Sequence, residues 1–285
     1  MTTATLDQRL SAFAPHLVQT ALGQVQYRQS GAQASDATHV LLHGIGSGSA
    51  SWLAQLEAAQ RNSPACTLLA WEAPGYGNST PVALDSPSAQ DYAERLWAWL
   101  DALRVRQPVT LVGHSLGALM AARASRLQAN RVSQLILLSP AQGYARATPA
   151  EREQKLADRI ANLAQLGPQG MASKRGAAML SAQASIEQVA YIQGVMAQIV
   201  PAGYTQAARL LAHGDLLTDL DGISVPLTVA SGHADAITPM AGCQAVAAHG
   251  HVSWVDLGPV GHACALEGAD AVNTLLGLGL PRASA

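Results

Sequence analysis

The chain has 285 residues, 49% hydrophobic and 13% charged, with a formal net charge of −2. That is enough apolar chain for one α/β domain with a lid, and the near-neutral charge removes any electrostatic case for nucleic acid or an anionic membrane as partner. Cys66, Cys243 and Cys264 make no paired framework, and Met1 to Arg9 lacks a charged start followed by an apolar stretch, so a cytoplasmic protein without signal peptide or membrane span is expected.

His16 to Thr20 and Gly23 to Ser30 read as an antiparallel hairpin turned at Leu22-Gly23, and a buried strand near 38–43 follows. After it comes His43-Gly44-Ile45-Gly46-Ser47-Gly48-Ser49, a loop whose amides can point into a cleft with no side chains in the way. The lysine-threonine ending of a phosphate loop is missing, and Gly44, Gly46 and Gly48 alternate rather than keep a dinucleotide spacing, so no nucleotide is expected. A strand near 66–71 leads to Pro74-Gly75-Tyr76-Gly77-Asn78-Ser79. Helix Ser88 to Arg104 turns Tyr92, Leu96, Trp99, Leu100 and Leu103 inward and opens on a Ser88/Asp91 capping box. Trp97 and Trp99 therefore belong to core and helix surface, not to a cofactor box.

The strand near 108–113 runs into Gly113-His114-Ser115-Leu116-Gly117, and Ala118 to Arg123 opens a helix. A strand that turns into a helix so abruptly forces the central residue into strained geometry, tolerates only small neighbours, and lifts the Ser115 hydroxyl clear of the sheet. Ser115 is the expected nucleophile. Its Leu116 amide, at the positive start of the helix, and the Ile45 amide are the expected oxyanion donors.

After a strand near 132–139 the alternation stops. Helices opening at Thr148-Pro149, at Ser185 and at Pro201 fill the stretch to His213, the first carrying Leu156, Ile160 and Leu163 on one face and closing near Gly167-Pro168. Residues 140–213 thus read as a helical lid inserted after strand six, between core segments 1–139 and 214–285. The lid holds seven Lys/Arg and four acids, hence +3, leaving −5 for the rest. Most of these charges are solvated helix faces. Arg175, beside Gly176-Ala177-Ala178, is the candidate clamp for a substrate carboxylate.

A strand near 225–230 ends in Ser231-Gly232-His233-Ala234-Asp235, with Thr238 expected as helix N-cap and Pro239 at the first helical position. A last strand near 252–257 is followed by Gly258 to Gly261, then His262 and a helical stretch to Leu278. Asp235 and His262 are the expected acid and base, giving the chain order Ser, Asp, His. Among rivals, His233 shapes the acid's loop, and Asp256, Glu267 and Cys264 are structural. The loose group of His233, Asp235, His249 and His251 is read as exposed side chains rather than a metal site. His114 is first a packing residue; with Gly44, Trp52 and Arg175 it completes the candidate substrate contacts.

On His43-Gly44, the Pro74 to Ser79 turn, Gly113 to Gly117, Asp235 with Thr238-Pro239, and Gly261-His262, the chain resembles α/β-hydrolase-fold enzymes from about Gly23 onward. Within them it is similar to the small single-domain branch of esterases, enol-lactonases and meta-cleavage-product (C–C bond) hydrolases. The His43 to Gly48 loop, with Trp52 after it, is similar to that of the C–C hydrolases. Ala263-Cys264 after His262, where those enzymes usually carry tryptophan, and His114, where they often have asparagine, depart from them. The resemblance implies an eight-stranded, mostly parallel sheet flanked by helices. It implies Ser-His-Asp hydrolysis of a small-molecule ester or lactone, with no metal and no organic cofactor. Hydrolysis of a vinylogous diketone and a binding protein with an idle triad are the alternatives.

Overall fold

The computed structural model describes residues 4–279. Eight strands form one sheet: β1 His16–Thr20, β2 Gly23–Ser30, β3 Ala37–Leu42, β4 Thr67–Trp71, β5 Val109–His114, β6 Val132–Leu138, β7 Leu227–Ser231 and β8 Trp254–Asp256. Their order is β1-β2-β4-β3-β5-β6-β7-β8. The β1–β2 hairpin pairs antiparallel and adds antiparallel to β4, while every pair from β4 to β8 is parallel. The last two strands start later than the sequence suggests. Pro226 lacks the N–H a ladder needs, and His251 takes a left-handed φ of 55° just before β8.

The helices are α1 Leu6–Leu10, α2 Leu53–Asn62, α3 Ala89–Ala102, α4 Gly117–Leu127, α5 Pro149–Arg175, α6 Ile186–Ala197, α7 Pro201–His213, α8 Leu216–Leu220, α9 Met240–His249, α10 Cys264–Glu267 and α11 Ala269–Leu275. Among the described residues no helix is long and apolar enough to cross a membrane. A parallel sheet must be covered on both faces, so its strands run apolar on both sides. Val40 and Leu42 of β3 with Leu111 of β5 pack under α3 and α4; Leu41 and Val112 pack with α2, α10 and α11 on the opposite face.

After β6 come α5, α6 and α7, and then the short α8, with no strand between them. Thr148 caps α5 by accepting from the Glu151 amide at 3.3 Å, and Ser185 and Gln188 form a capping box on α6. The expected stop near Gly167-Pro168 is a break and not an end: Gly167 takes φ 61°, ψ 175°, and helix resumes at once through Arg175. Proline fits a first helical position because its missing donor is not needed there, and the break needs glycine. Leu163, Met171, Ala172, Met196, Ile199 and Tyr204 give α5, α6 and α7 an apolar core of their own.

Candidate active site

Ser115 lies between the end of β5 and the start of α4 with φ 53°, a left-handed angle. Its neighbours make that turn possible. A Cβ at Gly113 would stand 2.5 Å from the Gly117 carbonyl oxygen, and one at Gly117 would stand 2.3 Å from that of Leu42. The Ser115 amide donates to the Leu138 carbonyl at 3.0 Å, pinning the turn to β6. Ser115 lines a cavity of about 320 Å³. Among the described residues the amides of Ile45 and Leu116 make no backbone hydrogen bond.

The loop after β7 wraps Asp235. Its Oδ1 accepts from the Ile237 and Thr238 amides at 2.8 and 2.9 Å, and its Oδ2 accepts from His262 Nδ1 at 2.9 Å and from the Thr238 hydroxyl at 2.8 Å. Burial alone would raise the Asp235 pKa. The His262 hydrogen bond and charge, with the Thr238 bonds, outweigh it and hold the carboxyl well below the usual carboxylate range. Thr238 is therefore not the N-cap of α9, as the sequence suggests; Pro239 is, with φ −57° and ψ 149°. The Thr238 hydroxyl is committed to Asp235 and to the Ser139 carbonyl at 3.1 Å, so helix begins one residue later.

Asp235 and His262 are thus a buried, hydrogen-bonded pair, and His262 lines the same cavity as Ser115. No hydrogen bond joins Ser115 Oγ to His262 among the described residues. Such contacts commonly tighten only when substrate is bound. Glu267 braces the histidine's loop by accepting from the Gly261 amide at 2.8 Å and the Ser181 amide at 2.9 Å.

The remaining histidines do other work. His233 Nδ1 faces Asp256 at 2.9 Å on the surface, and His249 Nε2 faces Asp221 at 2.8 Å. His114 is buried and its Nε2 donates to the His262 carbonyl at 2.8 Å. Burial first, and the neighbouring His262 second, push its pKa down to about 3, so it is a neutral brace for His262. Two residues here were not singled out from the sequence. His43 Nδ1 donates to the Gly44 carbonyl at 2.8 Å and its Nε2 accepts from the Ala73 amide at 3.0 Å. Glu72 accepts from the Ser49 amide at 3.0 Å and hydroxyl at 2.6 Å. Together they tie both ends of the glycine-rich loop to the end of β4. A lone acid closing the apolar run of β4 was the available signal.

The site has two lobes. The larger, about 320 Å³, is lined by Ile45, Ser115, Tyr144, Arg159, Arg175 and His262 among others. Arg159 is a third residue the sequence reading passed over. The smaller, about 30 Å³, is closed by Gly44, Trp52, His114, Ile192 and Leu266. Gly44 backs directly on Ser115, where a Cβ would come within 2.8 Å of the Ser115 Cβ. All four expected substrate contacts therefore border one lobe or the other.

Residues 40–275 match the model of a family described as the alpha/beta hydrolase family. The (E)-2-((N-methylformamido)methylene)succinate hydrolase of Acinetobacter baylyi is 29% identical over 202 residues, 69% of this chain and 72% of that one. A thermophilic esterase from Thermogutta terrifontis superposes with a TM-score of 0.79 at 20% identity, covering 92% of this chain and 96% of the other. The enol-lactonase from Burkholderia xenovorans gives 0.77 at 20% identity, covering 92% and 99%. At such identities the two structures speak to the fold alone.

Proposed function

This chain belongs to the alpha/beta hydrolase family, and we propose that it is a serine hydrolase cleaving a small carboxylic ester or lactone through an acyl-enzyme. One observation carries the reading. The buried Asp235–His262 pair, 2.9 Å apart, and the strained Ser115 turn open on one cavity.

In this reading His262 Nε2 takes the Ser115 proton as Oγ attacks the substrate carbonyl. Asp235, accepting from Nδ1–H, fixes the tautomer and stabilises the imidazolium without itself becoming protonated. The Ile45 and Leu116 amides receive the oxyanion. His262 then protonates the leaving oxygen, and a water activated by the same imidazole attacks the acyl-enzyme, releasing the acid and restoring Ser115. Residues 140–213 serve as the lid over this site. The small lobe, about 30 Å³, suits one short group, since that is about the volume of a single water in the liquid. Three free cysteines, two of them buried, support a reducing compartment such as the cytoplasm.

A second reading is acyl transfer from an amide carbonyl by the same residues. It is favoured by the relative named for hydrolysing a formamido-substituted succinate. Mixing the enzyme with 4-nitrophenyl acetate tests the common mechanism. A burst of 4-nitrophenolate matching the enzyme concentration, with an acetyl group recovered on the Ser115 peptide, is expected. Neither burst nor adduct would refute it. Comparing matched acetate esters and acetanilides then separates ester from amide preference.

A further inference from the structure

We propose that the substrate is a small acyl compound carrying two free carboxylates, gripped by Arg159 and Arg175 from the two halves of α5. This deepens the hydrolase reading and rests on it for the chemistry, though not for the binding.

Both arginines point inward for a reason visible in the helix period. Arg159 stands one turn before Leu163, and Arg175 one turn after Met171; both apolar residues are buried in the helices' own core. The arginines continue those buried faces to the larger lobe, which they line together with Ser115 and His262. No aspartate or glutamate lines that lobe. Two other arginines of the lid have acceptors: Arg146 pairs with Asp215 at 2.9 Å and Arg209 donates to the Asp85 carbonyl, while Arg152, outside the cavity lining, has only a loose contact of 3.9 Å with Glu153 and no hydrogen bond from its Nε. Among the described residues neither Arg159 nor Arg175 has an ion-pair or hydrogen-bond partner within the protein.

Two half-buried guanidinium groups facing a cavity without a counter-charge raise the electrostatic cost of that cavity, and an anion entering it offsets the cost. The planar guanidinium fork matches a carboxylate with two parallel hydrogen bonds. Two forks, on helices separated by the Gly167 break, match two such groups. A volume of about 320 Å³ accommodates a short diacid skeleton.

Calorimetric titration reads this without turnover. Wild-type protein is titrated with succinate, with butyrate, which keeps the chain length and one carboxylate, with neutral succinamide, and with inorganic phosphate. Succinate is expected to bind at least about tenfold more tightly than butyrate, as one further charge-assisted pair implies, and succinamide not measurably. Arg159→Met and Arg175→Met should each reduce succinate affinity to the level of butyrate. Lys155→Met, which removes the same charge from an exposed lid position outside the cavity, should leave it unchanged. If a methionine variant fails to fold, Arg175→Lys keeps the charge and loses the fork, and an intermediate affinity is expected. Equal affinity for succinate and butyrate, tighter binding of phosphate than of succinate, or an equal loss in Lys155→Met would each overturn the proposal. Succinate binding without an acyl-enzyme burst would instead refute the hydrolase reading alone.

Discussion

At Ser115 the backbone holds a φ of 53°, a region that costs a side-chain-bearing residue about 1–2 kcal/mol. Glycines around it make room for the strain. In Gly117→Ala the added Cβ would meet the Leu42 carbonyl oxygen at 2.3 Å, and a backbone atom inside the sheet has nowhere to go. We expect that variant to lose at least about 2 kcal/mol, read as a lower urea midpoint. Ser115→Ala keeps the turn and should retain near-parental stability while turnover of 4-nitrophenyl acetate falls by at least about a thousandfold. His262→Ala and Asp235→Asn should match that loss. His233, paired with Asp256 on the surface, should cost no more than about threefold when changed to alanine. A crippled His233→Ala beside an active His262→Ala would move the base. The Asp235–His262 pair and the Ser115 turn were legible in the sequence because each residue follows a strand within a few positions and sits in a short local pattern. His43, Glu72 and the true role of Thr238 were not. Their partners, Ala73, Ser49 and Ser139, come from other strand ends and meet them only once the sheet is assembled.

The same division holds for the elements. The β1–β2 hairpin, the eight strands and the capped starts of α3, α5 and α6 follow from periodicity and cap residues that act within a few positions. The second half of α5 does not, because Gly167-Pro168 is also how a helix ends. What decides between the two is the apolar core that Met171 and Ala172 enter. Arg159 shares the Leu156, Ile160 and Leu163 face that the period defines, but that it borders the cavity with Ser115 follows only from how α5 packs. Two glycines of these helices separate steric from conformational control. A Cβ at Gly203, at the start of α7, would stand 1.9 Å from the Gly75 carbonyl oxygen, whereas one at Gly167 meets nothing within 4 Å. Gly167→Ala therefore pays only the backbone cost of a conformation (φ 61°, ψ 175°) that is open essentially to glycine alone, about 1–3 kcal/mol. Gly203→Ala must push α7 off the Pro74 to Ser79 turn. Because Tyr204 and Leu211 of α7 line the larger lobe, Gly203→Ala should both lower Tm by more than about 4 °C and raise KM. A Gly203→Ala protein with parental Tm and KM would show that this contact does not set the position of α7.

For the whole molecule, pH is the variable that reaches the interior. His39, His43 and His114 are buried, and burial is the first cause lowering each of their pKa values, that of His114 to about 3. A histidine so depressed takes up a proton in the unfolded chain, near the ordinary value of about 6.5, before it does so in the folded one. The unfolded state then binds more protons across the interval, and stability falls as pH drops from about 6.5 toward the folded value. Asp235 acts in a different window. Its carboxyl is depressed by folding, so its contribution is present above the unfolded carboxylate value of about 3.9 and is lost only below it. Between roughly pH 4.5 and 6.5 the three buried imidazoles therefore set a falling slope, opposed by Asp219, whose carboxyl burial raises to about 6, so that the folded chain takes up that proton first. His114→Asn keeps a side-chain donor for the His262 carbonyl and removes one of these groups. The variant should be less stable than the parent at pH 7, because the ring's packing against His262 and Trp52 is lost. Its stability should fall more gently on acidification, with a slope smaller by up to about 1.4 kcal/mol per pH unit, the value for one proton. Urea unfolding at pH 4.5, 5.5 and 6.5 measures both slopes. Parallel slopes for parent and variant would mean that His114 takes up its proton equally in folded and unfolded chains, and the brace behind the base would then not be the neutral imidazole its burial requires.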